Sequence, residues 1–194
     1  MIHQSFINVL GQPVLISEID ILKIKTTFSV ELAHFKDSDI LLKYLEQYGV
    51  SVFRDGFISF INPMDYEKLL KKFPKLRNQS IMPFAKTAMG NFFLIGEVDG
   101  EVCLAFYNIH TEEYLYVDYQ FDLFFSSLAR SKYHRESDWY GAIEIPALEK
   151  LKPVAIEECL TFMPALVNGG NEDIKNIQKA NLKDTLEMLA NAFS

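Results

Sequence analysis

From Thr87 to Ala129 the chain runs for 43 residues without a single Lys or Arg, yet it holds seven carboxylates: Glu97, Asp99, Glu101, Glu112, Glu113, Asp118 and Asp122. Ten aromatic residues are interleaved with them, namely Phe92, Phe93, Phe106, Tyr107, Tyr114, Tyr116, Tyr119, Phe121, Phe124 and Phe125. Rings at this density belong in a core, and the turn residues divide the segment into strand-length pieces. Ile81–Met89 enters as a strand, Gly90-Asn91 turns, and Phe92–Val98 returns. Asp99-Gly100 makes a tight hairpin to Val102–Tyr107, and Glu113–Val117 is a further strand. The expectation is an antiparallel meander of three or four strands. Asp118 stands where it would cap a following helix whose buried face carries Phe121, Phe124, Phe125 and Leu128.

The same segment carries the charge imbalance of the protein. The net charge is −7; outside the segment 19 acids face 19 Lys plus Arg. A surface rich in carboxylates and poor in cations projects a negative field that attracts a basic partner. It argues against direct binding of nucleic acid, which needs clustered Lys and Arg. The nearest such cluster, Lys68, Lys71, Lys72, Lys75 and Arg77, reads as a solvated helix face. No apolar run approaches the roughly 20 residues that span a bilayer. The N-terminus lacks the basic region of a secretory signal, and Cys103 and Cys159 read as reduced core thiols. Together these features predict a cytoplasmic protein.

Elsewhere the pattern alternates between helix and strand, and the fold class is α+β: an antiparallel sheet, hairpin plus meander, packed with amphipathic helices. Val14 to Ile24 is expected to be partly helical. Ser38-Asp39 opens a helix with Ile40, Leu41, Tyr44, Leu45 and Tyr48 on one face and Gly49 as its left-handed cap. Val50–Phe53 and Phe57–Ile61 flank Arg54-Asp55-Gly56 as a β-hairpin. Asn62-Pro63 caps a helix with Tyr66, Leu69, Leu70 and Phe73 buried, ended by Pro74. Residues 130–152 read as helical, broken near Gly141 and Pro146. A closing helix is capped by Asn181, with Leu182, Leu186, Leu189, Ala190 and Phe193 as its stripe. If the chain divides, residues 1–78 and 79–194 are two subdomains of one shared compact unit.

Catalytic motifs are missing from this pattern. There is no Gly-rich phosphate loop, no Gly-x-Ser-x-Gly elbow and no His-Glu-x-x-His. The four histidines, His3, His34, His110 and His134, share no helical spacing with one another or with a cysteine, so no metal site and no cofactor is indicated. Asn168-Gly169-Gly170-Asn171 reads as a turn, and His134 with Glu136, Asp138 or Glu144 as a solvated surface rather than an acid/base pair. The residues are compatible with an interaction module, with a sensor that binds a small ligand in an aromatic-lined pocket, and with a hydrolase using dispersed His110 or His134.

Two stretches narrow this choice. Asp39-Ile-Leu-Leu-Lys-Tyr-Leu-Glu-Gln-Tyr-Gly49, Asp55-Gly56-Phe57 and Asn62-Pro63-Met-Asp-Tyr66 resemble the GAD-like domain. Pro83-Phe84-Ala85-Lys86-Thr87-Ala88-Met89-Gly90-Asn91, the Asp118 to Leu128 helix, Cys159-Leu-Thr-Phe-Met-Pro164-Ala-Leu and Gly169-Gly170 are similar to the C-terminal domain of immunity proteins that accompany type VI secretion DNase effectors. Ala85-Lys86 stands where that pattern has Gly-Arg, and Asn91 where it has Asp. The resemblance marks Pro83, Phe84, Lys86, Thr87, Gly90, Pro164, Gly169 and Gly170 as family positions. It implies a non-enzymatic immunity protein whose partner is a basic nuclease toxin. Glu97, Asp99, Glu101, Glu112 and Glu113 are the expected contact residues, with Tyr107 and Tyr114 as aromatic anchors.

Overall fold

The structure, a computed structural model, describes residues 7–8, 10–117, 121 and 141–194. The expected Asp118 cap, the Phe124, Phe125 and Leu128 stripe, His3, His134, Glu136 and Asp138 lie outside these residues.

Seven strands form one antiparallel sheet in simple sequence order: β1 Val14–Ser17, β2 Val50–Phe53, β3 Ile58–Phe60, β4 Ser80–Thr87, β5 Phe92–Val98, β6 Glu101–Asn108 and β7 Glu113–Val117. A separate pair, β8 Glu158–Phe162 and β9 Ile177–Asn181, is also antiparallel. Six α-helices accompany them among the described residues: α1 Ile21–Thr27, α2 Ser29–His34, α3 Ser38–Tyr48, α4 Glu67–Leu70, α5 Gly141–Leu151 and α6 Leu182–Phe193. The α+β class read from the sequence is therefore the observed one.

The central strands of the sheet are covered on both faces. Along β5, Phe93 and Ile95 join the apolar layer built with α1, α2 and α3, whereas Phe92, Leu94 and Val98 join the layer built with α4 and α6. Successive strand side chains point to opposite faces, so a run such as Phe-Phe-Leu-Ile is explained only when both faces are dry. The first layer is aromatic at its centre. Tyr44 meets Phe60 edge-on at 6.3 Å and Phe121 at 5.4 Å, and Phe53 meets Phe60 at 5.6 Å. Such edge-to-face pairs place the positive ring edge on the negative ring face. Because Phe60 is fully buried among these rings, Phe60→Ala is expected to lower the unfolding free energy by about 3–5 kcal/mol. A urea titration measures it, and a loss below about 1 kcal/mol would show that the layer repacks around the void.

Local signals correspond closely to the elements they predict. Helix α3 spans Ser38–Tyr48, with Gly49 at φ 54°, and α6 is capped by Asn181 Oδ1, which accepts the Asp184 N–H at 3.1 Å. The β2–β3 connection turns through Arg54, Asp55 and Gly56, all at positive φ. A Cβ on Gly56 would run into the Val154 carbonyl, so glycine is needed there for space as well as for backbone freedom.

Three elements differ from the sequence reading. Val14 to Ile24 is partly helical as expected, with the helix beginning at Ile21, but Val14–Ser17 is a strand because β2 offers it a pairing edge. The Asn62-Pro63 element begins as a 3₁₀ turn, Pro63–Asp65, and its α-helical part is only Glu67–Leu70; Lys72 and Phe73 then donate to the carbonyls three residues back. Pro146 lies inside α5 rather than breaking it. The hairpin and the meander form one sheet, as the sequence reading expects, because β3 pairs with β4. One sheet thus takes strands from both sides of the expected 78/79 boundary.

Candidate functional site

The β5–β6 hairpin turns on Asp99 and Gly100, at φ 52° and 83°. Two consecutive residues at positive φ match the right-handed twist of the flanking strands, and Asp-Gly is the pair that tolerates them. The turn brings exposed Glu97, Asp99 and Glu101 together at one end of the sheet. Gln79 braces the tip: its amide N–H donates to Asp99 Oδ1 at 3.2 Å, and its Oε1 accepts the Asp99 N–H at 3.3 Å. From β7, the Tyr116 hydroxyl donates to Asp99 Oδ2 at 3.3 Å. Tyr114 and Tyr116 stack with centroids 6.5 Å apart, and the Tyr114 hydroxyl donates to the Lys75 carbonyl at 2.7 Å. Partial burial, reinforced by Glu101 and Asp99, pushes the Cys103 thiol up to about 11, so it stays protonated at neutral pH.

Glu113 is exposed at the start of β7, and Tyr114 is half-buried. The other two expected contacts point inward. Tyr107 is fully buried, and Glu112 is 7% exposed. The Tyr107 hydroxyl donates to Glu112 Oε1 at 3.3 Å, and the Lys75 N–H donates to the same oxygen at 3.3 Å. Both faces of β6 are covered at Tyr107, so it has no solvent side there, and Glu112 is taken up by an internal pair. Of the expected contacts, Glu97, Asp99, Glu101 and Glu113 are exposed and Tyr114 is half-buried. Tyr116, 43% exposed, belongs with them and was absent from the expected contacts. The alternation Tyr114-Leu115-Tyr116 is the signal that places Tyr116 beside Tyr114 on one face.

The family positions lie elsewhere. Pro83, Phe84, Lys86 and Thr87 belong to β4, and all four are buried. Lys86 is wholly enclosed, and its Nζ donates to the Glu158 carbonyl at 2.8 Å; burial pulls this ammonium down to about 8. Opposite it, Glu144 of α5 accepts the Ala88 N–H at 3.0 Å, and burial pushes its carboxyl up to about 8. His110 Nε2 lies 2.9 Å from the Met89 carbonyl, and burial lowers this imidazole to about 4. Asn91 Oδ1 accepts the Ile109 N–H at 3.1 Å. Gly90, at φ 77°, lets the turn lie against Cys159. The 87–91 turn is thus a buried polar junction of β4, β5, the β6–β7 connection, α5 and β8. Burial favours hydrogen-bonded polar groups, and Lys86 Nζ, Glu144 and Asn91 Oδ1 each have a partner, whereas Asn91 Nδ2 has none among the described residues. Gly169 ends the Leu166–Asn168 turn at φ 85°, and a Cβ on Gly170 would collide with the Pro164 carbonyl. Among the described residues, no group of three or more His, Cys, Asp or Glu is placed to hold a metal ion. No described helix is long and apolar enough to cross a membrane.

Residues 4–106 match the family model of the GAD-like domain, and residues 118–191 match that of the T6SS immunity protein Tdi1, C-terminal. The crystal structure of Atu4351 from Agrobacterium tumefaciens is similar, with a TM-score of 0.70 at 12% sequence identity, over 97% of this chain and 88% of that chain. At that identity the likeness is one of fold. No curated protein matches the sequence.

Proposed function

The chain belongs to the GAD-like domain family and carries the C-terminal domain of a T6SS immunity protein, and from that premise we propose that it binds and neutralises a cognate type VI secretion DNase without catalysing a reaction itself. The observation that carries the proposal is the acidic hairpin at one end of the sheet, where exposed Glu97, Asp99 and Glu101 lie together and Tyr116 ties that hairpin to β7. A nuclease presents a positive cleft to DNA. An acidic surface steers toward that cleft, speeds association and excludes the phosphate backbone. The complex would form in the cytoplasm of the producing cell. The chain acts as one unit there, with residues 1–78 and 79–194 as its two subdomains.

The test is affinity capture with the tagged protein from its host at low and high salt, followed by titration of the recovered partner. A basic protein with DNase activity should be retained at low salt and released by added salt. The double variant Asp99→Lys with Glu113→Lys should weaken binding by about a hundredfold, roughly tenfold per reversal, because the two side chains do not touch. An affinity indifferent to both the reversal and the salt would refute the electrostatic mechanism.

A further inference from the structure

Five of the nine exposed large hydrophobic residues among those described lie close together in the chain: Val14, Leu15, Ile16, Leu22 and Val30. The other four are scattered through the remaining sequence, so the excess belongs to strand β1 and the two helices that follow it. Val14, Leu15 and Ile16 are 64%, 57% and 51% exposed, and Leu22 on α1 is 77% exposed. Single apolar residues on a surface are ordinary, but three in a row on one strand with a fourth soon after make a patch. It leaves roughly 400 Å² of apolar surface in water, the size at which a patch marks an interaction site. The register of β1 with β2 shifts between Leu15 and Ser17. Such a bulge bends the strand and interrupts its ladder, so β1 presents side chains rather than a flat row of backbone groups.

Charge decides what fits there. Residues 11–36 hold three acids, Glu18, Asp20 and Glu31, and three lysines, Lys23, Lys25 and Lys36. A surface without net charge offers little to the basic partner that the acidic hairpin attracts. It is also where two copies of a chain with net charge −7 meet with least repulsion. The sheet order keeps the two surfaces apart. Strand β1 is one edge, and β5, which leads into the acidic hairpin, lies four strands away, about 19 Å at the usual strand spacing. That is more than twice the Debye length of about 8 Å at physiological salt.

We propose that a second copy of this chain docks on this patch, β1 against β1 about a two-fold axis, giving a dimer that leaves both acidic hairpins uncovered. With the axis perpendicular to the strands, the two β1 segments run antiparallel and the patch meets itself, as an isologous interface requires. Centred between Leu15 and Ile16, this packing sets the two Glu18 residues five residue rises apart, about 17 Å, so that like charges are screened from each other. The apolar side chains fill the centre, and the acids and lysines form the rim. The patch is smaller than the roughly 800 Å² per partner of a standard interface, so the dimer is a weak one, with Kd on the order of 10 µM.

The experiment is sedimentation equilibrium of the full chain over concentrations that bracket this value, beside the double variant Val14→Lys with Leu22→Lys. The native chain should pass from monomer to dimer. Added salt should strengthen the dimer, because it screens the net repulsion, whereas the toxin complex responds in the opposite sense. The variant should dimerise about a hundredfold more weakly and keep the native urea midpoint, since both replaced side chains already stand in solvent. A native chain that stays monomeric at about tenfold the expected Kd would overturn the proposal. So would a variant that dimerises as tightly as the native chain. If the native chain is monomeric and the variant no longer retains the nuclease, the patch belongs to the toxin instead.

Discussion

Gly96→Ala is expected to lower the unfolding free energy by about 3–5 kcal/mol, a large share of the stability of a domain this size. Gly96 lies in β5, paired with Ile81 of β4 and Cys103 of β6, at φ 144°. A Cβ there would overlap the Ser80 carbonyl oxygen and crowd the Ile81 Cα. Those are backbone atoms held by the ladder, so no rotamer change relieves the overlap, and the strand pair must part. Gly100→Ala is the matched control. Its φ of 83° is also left-handed, but nothing lies within 4 Å of the position a Cβ would take. It should cost only about 1 kcal/mol, the backbone strain alone. Urea midpoints at constant slope measure both. Equal losses would mean that β4 moves away from Gly96 without penalty.

The second large effect is on the pH dependence of folding, in two opposite directions from one junction. Burial lowers the His110 imidazole to about 4, below its ordinary 6.5. Between those values the unfolded chain binds the proton more readily than the folded one. The contribution of His110 is therefore complete above about pH 6.5 and is lost as pH falls toward 4, about 3 kcal/mol in all. Glu144 behaves in the reverse sense. Burial raises its carboxyl to about 8 from 4.5, so the folded protein holds the proton longer. Its contribution is complete below about pH 4.5 and is lost as pH rises through 8. The remaining carboxylates also titrate, so the readable quantity is the difference between the protein and a variant. His110→Gln keeps an N–H donor for the Met89 carbonyl without a proton to bind. The stability of the native protein relative to this variant should rise between pH 4 and 6.5. Relative to Glu144→Gln it should fall between pH 4.5 and 8. Flat differences in both would mean that water reaches these groups.

The family positions and the exposed candidate contact residues lie in different parts of the structure. Lys86, Thr87 and Gly90 belong to the junction that binds α5 and β8 to the sheet, and Pro164 and Gly170 close a tight loop. Such residues are recognisable in a sequence because only a few side chains fit a buried polar site or a backbone collision. The acidic end has no such constraint. Its carboxylates stand in solvent, where many residues would serve, so their grouping is visible in the sequence only as a bias of charge.

By itself the sequence determined what depends on neighbours a few residues away. The Asp55-Gly56 and Asp99-Gly100 turns, the Asn181 cap, the Gly49 stop, the strand lengths from Phe92 to Val117 and the absence of Lys and Arg from Thr87 to Ala129 all follow from backbone sterics, local hydrogen bonds and composition. Tertiary structure alone decided which side chains point outward. Alternation along β6 separates Phe106 from Tyr107 but does not say that both sides are dry. That depends on helices such as α3 and α6, some sixty and seventy-five residues away in the chain. The same long-range packing made Val14–Ser17 a strand, turned Glu112 inward toward Tyr107 and Lys75, and buried Lys86 beneath Glu158. The physical reason is one of range. Turn and cap energies act across a single turn of backbone, whereas burial is a property of the surface that comes to lie opposite.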